Sequence, residues 1–196
     1  MMDAAKAFSP EPITSRIAVR IRDLRAARGL SLEELAEKSG VSRSMLSLIE
    51  REESSPTAVV LNKIAASFGV PLAVFFDDPG ARARPLSRAS DRQTWRDPQT
   101  GYLREVLSPS GIAAPFQLVQ VTLPPGATVQ YDGVNRARSY HQQIWVLEGR
   151  LEVSLDGNLH RLEEGDCLAW DVDDRPHSFN NTSRKRTRYA VIVAIS

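Results

Sequence analysis

Residues 21–51 read IRDLRAARGLSLEELAEKSGVSRSMLSLIER, and the punctuation inside this stretch decides the fold of the first third of the chain. Upstream and into it, Ile13, Ile17, Ile21 and Leu24 form one helical stripe that Gly29 closes. In Ser31-Leu32-Glu33-Glu34 a hydroxyl and a carboxylate stand three residues apart. That is the spacing of a capping box, in which each side chain satisfies a free amide of the opening turn. Leu30 and Leu35 flank it as a hydrophobic staple, and Gly40 stands where a left-handed C-cap belongs. Ser42 caps a third helix that runs to about Glu50, with Val41 and Leu46 as a second staple. Two short helices joined at Gly40-Val41 make a helix-turn-helix pattern over residues 32–51.

The third helix carries two unlike faces. Leu46 and Ile49 face inward, whereas Arg43, Ser44, Ser47 and Arg51 fall on the other side. Small hydroxyls near a helix start let the backbone approach base edges, and an arginine there can fork onto guanine or clamp a phosphate. Ser31, Ser42, Ser54 and Ser55 sit where contacts to phosphates are expected, beside the free amides of helix N-termini. Reading onward, Pro56 fits the first position of a fourth helix ending near Gly69, and Pro71 opens a short fifth from Leu72 to Phe76. Residues 13–76 therefore read as an all-α five-helix domain, after a disordered lead-in over residues 1–12.

The same stretch resembles the Cro/repressor (Xre-type) helix-turn-helix domain. The resemblance is carried by Arg25 and Gly29, Leu35-Ala36, Gly40-Val41-Ser42, Glu50-Arg51, Pro56, Leu61, Ile64-Ala65, Phe68 and Val70-Pro71. It implies double-stranded DNA as partner and a two-fold operator read by a homodimer. That family commonly has glycine after the arginine at position 51, and here Glu52 follows.

Residues 77–100 are rich in Pro, Gly, Ser and Arg and read as a linker. Beyond them, over residues 101–196, the apolar period falls toward two. Strands are expected at Phe116–Leu123, 142–147, Leu151–Leu155, 168–170 and 189–195, with a hairpin at Asp156-Gly157. Many short antiparallel strands at this spacing argue for a sandwich or barrel. Pro125-Gly126, Trp145 to Gly149, Glu164-Gly165-Asp166 and Pro176-His177 resemble the two motifs of a cupin, an all-β double-stranded β-helix barrel. The chain thus reads as two domains, a helical reader followed by a cupin.

Metal-binding cupins use two early histidines, a glutamate and a later histidine, a set suited to a divalent transition metal. Here Gln142 holds the glutamate position, and the early histidine positions fall at Asn135 and Ala137 or at Arg136 and Arg138. Only His177 matches, so neither a metal nor a cofactor is expected. Strand alternation puts His141 on the face opposite Gln142, outside the barrel. The interior would then hold Arg138, Tyr140, Gln142, Ile144, His177 and Phe179. We read these as a pocket for a small polar or anionic effector, with Arg138 or Arg136 as the counter-charge. Two competing readings are a metal-dependent cupin enzyme of the dioxygenase or isomerase kind, and a cupin that only dimerises the readers. Cys167 is expected in apolar packing, and Trp145 on the outward face as a dimer contact.

Composition adds limits. Of 196 residues 42% are hydrophobic and 25% charged, and 25 Lys and Arg balance 24 Asp and Glu to a net +1. Attraction to DNA must therefore come from local patches. One cysteine excludes an internal disulfide framework and suits a cytoplasmic protein. No apolar run suggests a membrane span, and the start lacks the pattern of a secretory signal. The expectation is a cytoplasmic transcriptional regulator and not an enzyme.

Overall fold

The structure is a computed structural model that describes residues 13–77, 83–112, 114–133 and 139–194. The expected lead-in over residues 1–12, and the positions of Asn135, Arg136, Ala137 and Arg138, lie outside the described residues.

The helical half holds α1 (Ile13–Ala27), α2 (Leu32–Ser39), α3 (Arg43–Glu50) and α4 (Ala58–Ser67). The capping box forms as its spacing requires: Glu34 N donates to Ser31 Oγ at 3.1 Å, and Ser31 N to Glu34 Oε2 at 2.7 Å. Those bonds hold the Glu34 carboxyl below its ordinary range. Gly40 ends α2 in the left-handed conformation at φ 66°, and Ser42 Oγ accepts from Met45 N to start α3. Ile17, Ile21, Leu35, Leu46, Ile49, Leu61 and Ile64 are buried together.

The expectation of five helices is corrected to four. Leu72–Phe76 is a single 3₁₀ turn, since five residues behind Pro71 allow little more than one turn, and its aromatic side chains are held by tertiary packing. α4 also starts later than expected. Pro56 lies outside it, and Thr57 is the cap, its Oγ1 accepting from Val60 N at 3.2 Å.

The second half is all antiparallel strand. In chain order these are β1 (Thr94–Arg96), β2 (Leu103–Val106), β3 (Phe116–Leu123), β4 (Thr128–Tyr131), β5 (Tyr140–Glu148), β6 (Leu151–Leu155), β7 (Asn158–Leu162), β8 (Cys167–Val172), β9 (His177–Asn180) and β10 (Thr187–Ala194). One sheet runs β1-β2-β3-β10-β5-β8 and the other β4-β9-β6-β7. Asp156 and Gly157, both at positive φ, turn β6 into β7. Inward residues such as Val121, Val129, Ile144, Val153, Phe179 and Val191 fill the space between the sheets.

The stretch expected as linker contributes to the core. Trp95 on β1 is 1% exposed, lying edge-on between Phe76 and Tyr102 with ring centroids 5.6 Å from each. Asp97, also buried, accepts from Ala58 N at 2.8 Å, so a carboxylate beyond β1 satisfies an amide in the first turn of α4. Gln117 donates to Asp77, and Arg16 to Gln93. The two halves are therefore joined by shared apolar packing and by hydrogen bonds, not by the connecting chain alone.

Candidate nucleic-acid interface and barrel cavity

α3 is fixed from behind. Glu50, on its last turn, is buried and receives Arg25 of α1 through both carboxylate oxygens at 2.7 Å, while Arg25 Nη1 donates to Leu30 O at 2.9 Å. This fork ties α1, the turn before α2 and α3 into one unit, and the hydrogen bond to Glu50 raises the Arg25 pKa further. Sequence reading noted both residues only as matching positions. Their pairing shows only in three dimensions.

The opposite side of α3 is turned to solvent. Arg43 and Ser44 are exposed, Ser47 is half-buried, and Arg51 is exposed at the end of the helix. Arg43 pairs with Glu33 of α2, and Arg51 with Glu53. Both pairs stand well in water, where such contacts are weak and exchange readily for a phosphate or a base. Ser31 and Ser42 are exposed caps of α2 and α3, so the free amides of two helix starts border the same surface. Ser55 is exposed as well. Ser54 is half-buried, its hydroxyl 3.9 Å from the Met45 sulfur. Glu52 takes φ 64°, so this residue adopts the left-handed turn that a glycine would take freely.

In the barrel, the phase of β5 is as alternation requires. Gln142 is buried, while His141 is exposed and within 3.2 Å of Asp171 on β8. The bulge in this sheet falls at Arg188/Tyr189, too far along to reverse that phase. Tyr140, Gln142, His177 and Phe179 line one cavity of about 40 Å³. Ile144, expected beside them, is buried in the core instead of lining that space. His177 is set in an aromatic cluster, its ring 5.0 Å from that of Tyr131 and 5.9 Å from that of Phe179. Among the described residues no three His, Cys, Asp or Glu side chains are grouped as a metal site would need.

Five polar residues of the cavity wall escaped the sequence reading. Tyr102 enters from just before β2 and Arg104 from within it, Tyr131 and Tyr189 from β4 and β10, and Asn62 from α4 of the helical half. Burial raises the Tyr102 hydroxyl pKa to about 12 and those of Tyr131 and Tyr189 above their ordinary value. All three remain neutral donors across the physiological range. Residues 128–131 were not among the expected strands, so Tyr131 went unmarked. Nothing in the sequence marked Arg104, because an arginine in a short strand ordinarily points to water.

The outward face of the larger sheet carries Trp145, 49% exposed, with Phe116 exposed as well. Cys167 is exposed directly across from Trp145, which corrects the expected apolar packing. β8 is an edge strand, and its alternation turns Leu168 and Trp170 inward and Cys167 and Ala169 out.

The helix-turn-helix family model matches residues 21–75, and the cupin-domain model residues 119–193. The chain is 26% identical over 183 residues to the HTH-type transcriptional regulator SutR of Escherichia coli, covering 93% of this chain and 97% of that one. It is 27% identical over 165 residues to the HTH-type transcriptional regulator PuuR of the same organism, covering 84% and 86%. Among solved structures, an HTH_3-family transcriptional regulator from Vibrio cholerae superposes with a TM-score of 0.74 at 30% identity, over 94% of this chain and 97% of that one.

Proposed function

Because the chain belongs to the helix-turn-helix transcriptional regulators of the HTH_3 family, with a cupin domain behind the reader, we propose that it binds a two-fold operator as a homodimer, with α3 in the major groove and the barrel as its sensor. The observation that carries this is the division of α3. One side is locked to α1 by Arg25 and Glu50, and the other offers Arg43, Ser44, Ser47 and Arg51 beside two capped helix starts. Arg43 and Ser44, at the helix start, read base edges. Arg51, Ser31, Ser42, Ser54 and Ser55 hold phosphates. One such reader makes too few base contacts for useful discrimination, so two half-sites about 34 Å apart, or a multiple of that, are needed. Selection of bound duplexes from a random library tests this. The expected product is a palindrome with that spacing, and recovery of unrelated sequences overturns the reading.

The second copy docks on the outward face of the larger sheet. Trp145 and Phe116 are exposed aromatic side chains on that face, of a residue type enriched in interface cores. Trp145→Glu should convert the dimer to a monomer in sedimentation, with operator binding falling sharply. A dimer that persists removes this face from the assembly.

The reading assigns no catalytic step. Gln142 stands where a ligating carboxylate would be, and a neutral amide is a poorer transition-metal donor. Elemental analysis of protein purified without chelator separates the two possibilities, since stoichiometric metal would revive the cupin-enzyme alternative.

A further inference from the structure

The barrel cavity contains a charge that neither the fold nor the reader uses. Arg104 is 6% exposed, and among the described residues its guanidinium enters no ion pair and no hydrogen bond, while its buried Nε has no partner. The acid whose field it shares is Asp77, which also lies in the fields of Arg16 and Arg20 and accepts from Gln117. Asp77 thus does not serve Arg104 alone. The Arg104 guanidinium lies over the Phe76 ring, 4.9 Å from its centroid, and a guanidinium stacked by its face keeps its donors at the edge. A cation taken out of water without a counter-charge is costly, and an anion completes it.

The surroundings select among anions. Tyr102, Tyr131 and Tyr189 line the same cavity as Arg104, the Tyr102 and Tyr131 hydroxyls bonded to each other, and Gln142 lies in the same wall. The rest of the wall sets Asn62, Tyr140 and His177 among apolar side chains that include Val121, Val129 and Val191. A tetrahedral oxyanion such as sulfate or phosphate presents oxygen on every side and would leave some of it facing valine, without a donor. A carboxylate with a short alkyl end matches both parts, its two oxygens on the fork of Arg104 and its tail on the valines. A volume of about 40 Å³ is room for about three water-sized groups, which limits the ligand to a few non-hydrogen atoms.

We propose that the barrel cavity binds a short-chain monocarboxylate, received by Arg104 within a ring of tyrosine hydroxyls. Asn62 of α4 forms part of the same wall, so a bound ligand bears directly on the helical half, and its differential contact with two arrangements of that half alters DNA affinity. This regulatory consequence rests on the reading of the barrel as a sensor, while the site itself does not.

The test titrates acetate, propionate and butyrate into the full-length protein by calorimetry, with sulfate, phosphate and chloride at matched ionic strength. Saturable binding of at least one carboxylate is expected. Arg104→Met should weaken it about tenfold or more, and Tyr131→Phe severalfold. Tyr131→Phe removes only an oxygen, so it keeps the question open to test if the arginine variant does not fold. No saturable carboxylate binding, or equal binding by the wild type and both variants, overturns the proposal. Sulfate or phosphate binding as tightly as the carboxylates overturns the assigned ligand class. Operator affinity is then measured with and without the bound carboxylate. An operator bound by a protein that takes no carboxylate defeats this inference alone. A carboxylate that binds without moving operator affinity leaves the site standing and defeats the sensor reading.

Discussion

The two halves of the molecule keep their polar groups on opposite sides of their cores. In the helical half the residues proposed to meet DNA are exposed, with Arg43 and Ser44 on a helix whose other face is buried. In the barrel the groups proposed to receive a ligand are inside, with Arg104 and Gln142 buried between sheets. A DNA reader contacts a partner larger than itself and must present its donors outward. A receptor for a small molecule must surround its ligand and therefore places donors where a globular core would be apolar. This difference governs how each half should respond to substitution.

The largest effect is expected where the reader holds the buried Arg25–Glu50 charge pair. Arg25→Ala leaves the Glu50 carboxylate buried without its fork, and breaking such a pair costs more than the pair contributes. Arg25 keeps a fifth of its side-chain surface in water, so the expected loss is about 2–3 kcal/mol, below the fully buried case. A lowered urea midpoint with an unchanged slope is the signature. If stability holds and only DNA affinity falls, α3 is held by packing alone and the fork has no structural role.

On the outward side the expected losses are in binding, not folding. Arg43→Ala should cost about 1–3 kcal/mol on the selected operator and blur discrimination at one base pair, with little change on random duplex. Arg51→Ala should weaken both alike and reduce the slope of log affinity against log salt by about 1. Fluorescence anisotropy over a salt series measures both. Equal losses for Arg43→Ala on operator and random DNA would move that residue from base reading to phosphate holding.

The same contrast explains what was legible in the sequence. Helix starts and stops are local: Ser31 with Glu34, Gly40 and Ser42 each solve a hydrogen-bonding problem within four residues, so the caps could be read directly. The Asp156-Gly157 hairpin and the phase of Gln142 against His141 are local as well. Trp95 is different. A three-residue strand with one apolar residue has no period, and that tryptophan is buried only because Phe76 and Tyr102 arrive from elsewhere in the chain. Arg104 was hidden for the same reason, since closure of the barrel decides which side of β2 is inside. Cys167 was misplaced because edge position depends on strand order, and strand order is not written in any one strand.

The smallest expected effect isolates backbone strain from recognition. Glu52 follows the α3 cap at φ 64°, a conformation that costs a residue with a Cβ about 1 kcal/mol or more and a glycine little. Its carboxylate accepts from Ser15 Oγ on α1, an exposed bond that offsets only part of this. A glycine also gives the unfolded chain more freedom, which opposes the gain. The balance for Glu52→Gly is a stabilisation of about 0.5 kcal/mol, read as a small rise in the thermal midpoint. Operator affinity should stay level or rise slightly, because an acidic side chain beside Arg51 is removed from a surface that approaches phosphate. A loss of stability would mean that the Ser15 contact outweighs the strained turn, and that α1 is held to the end of α3 at two points instead of one.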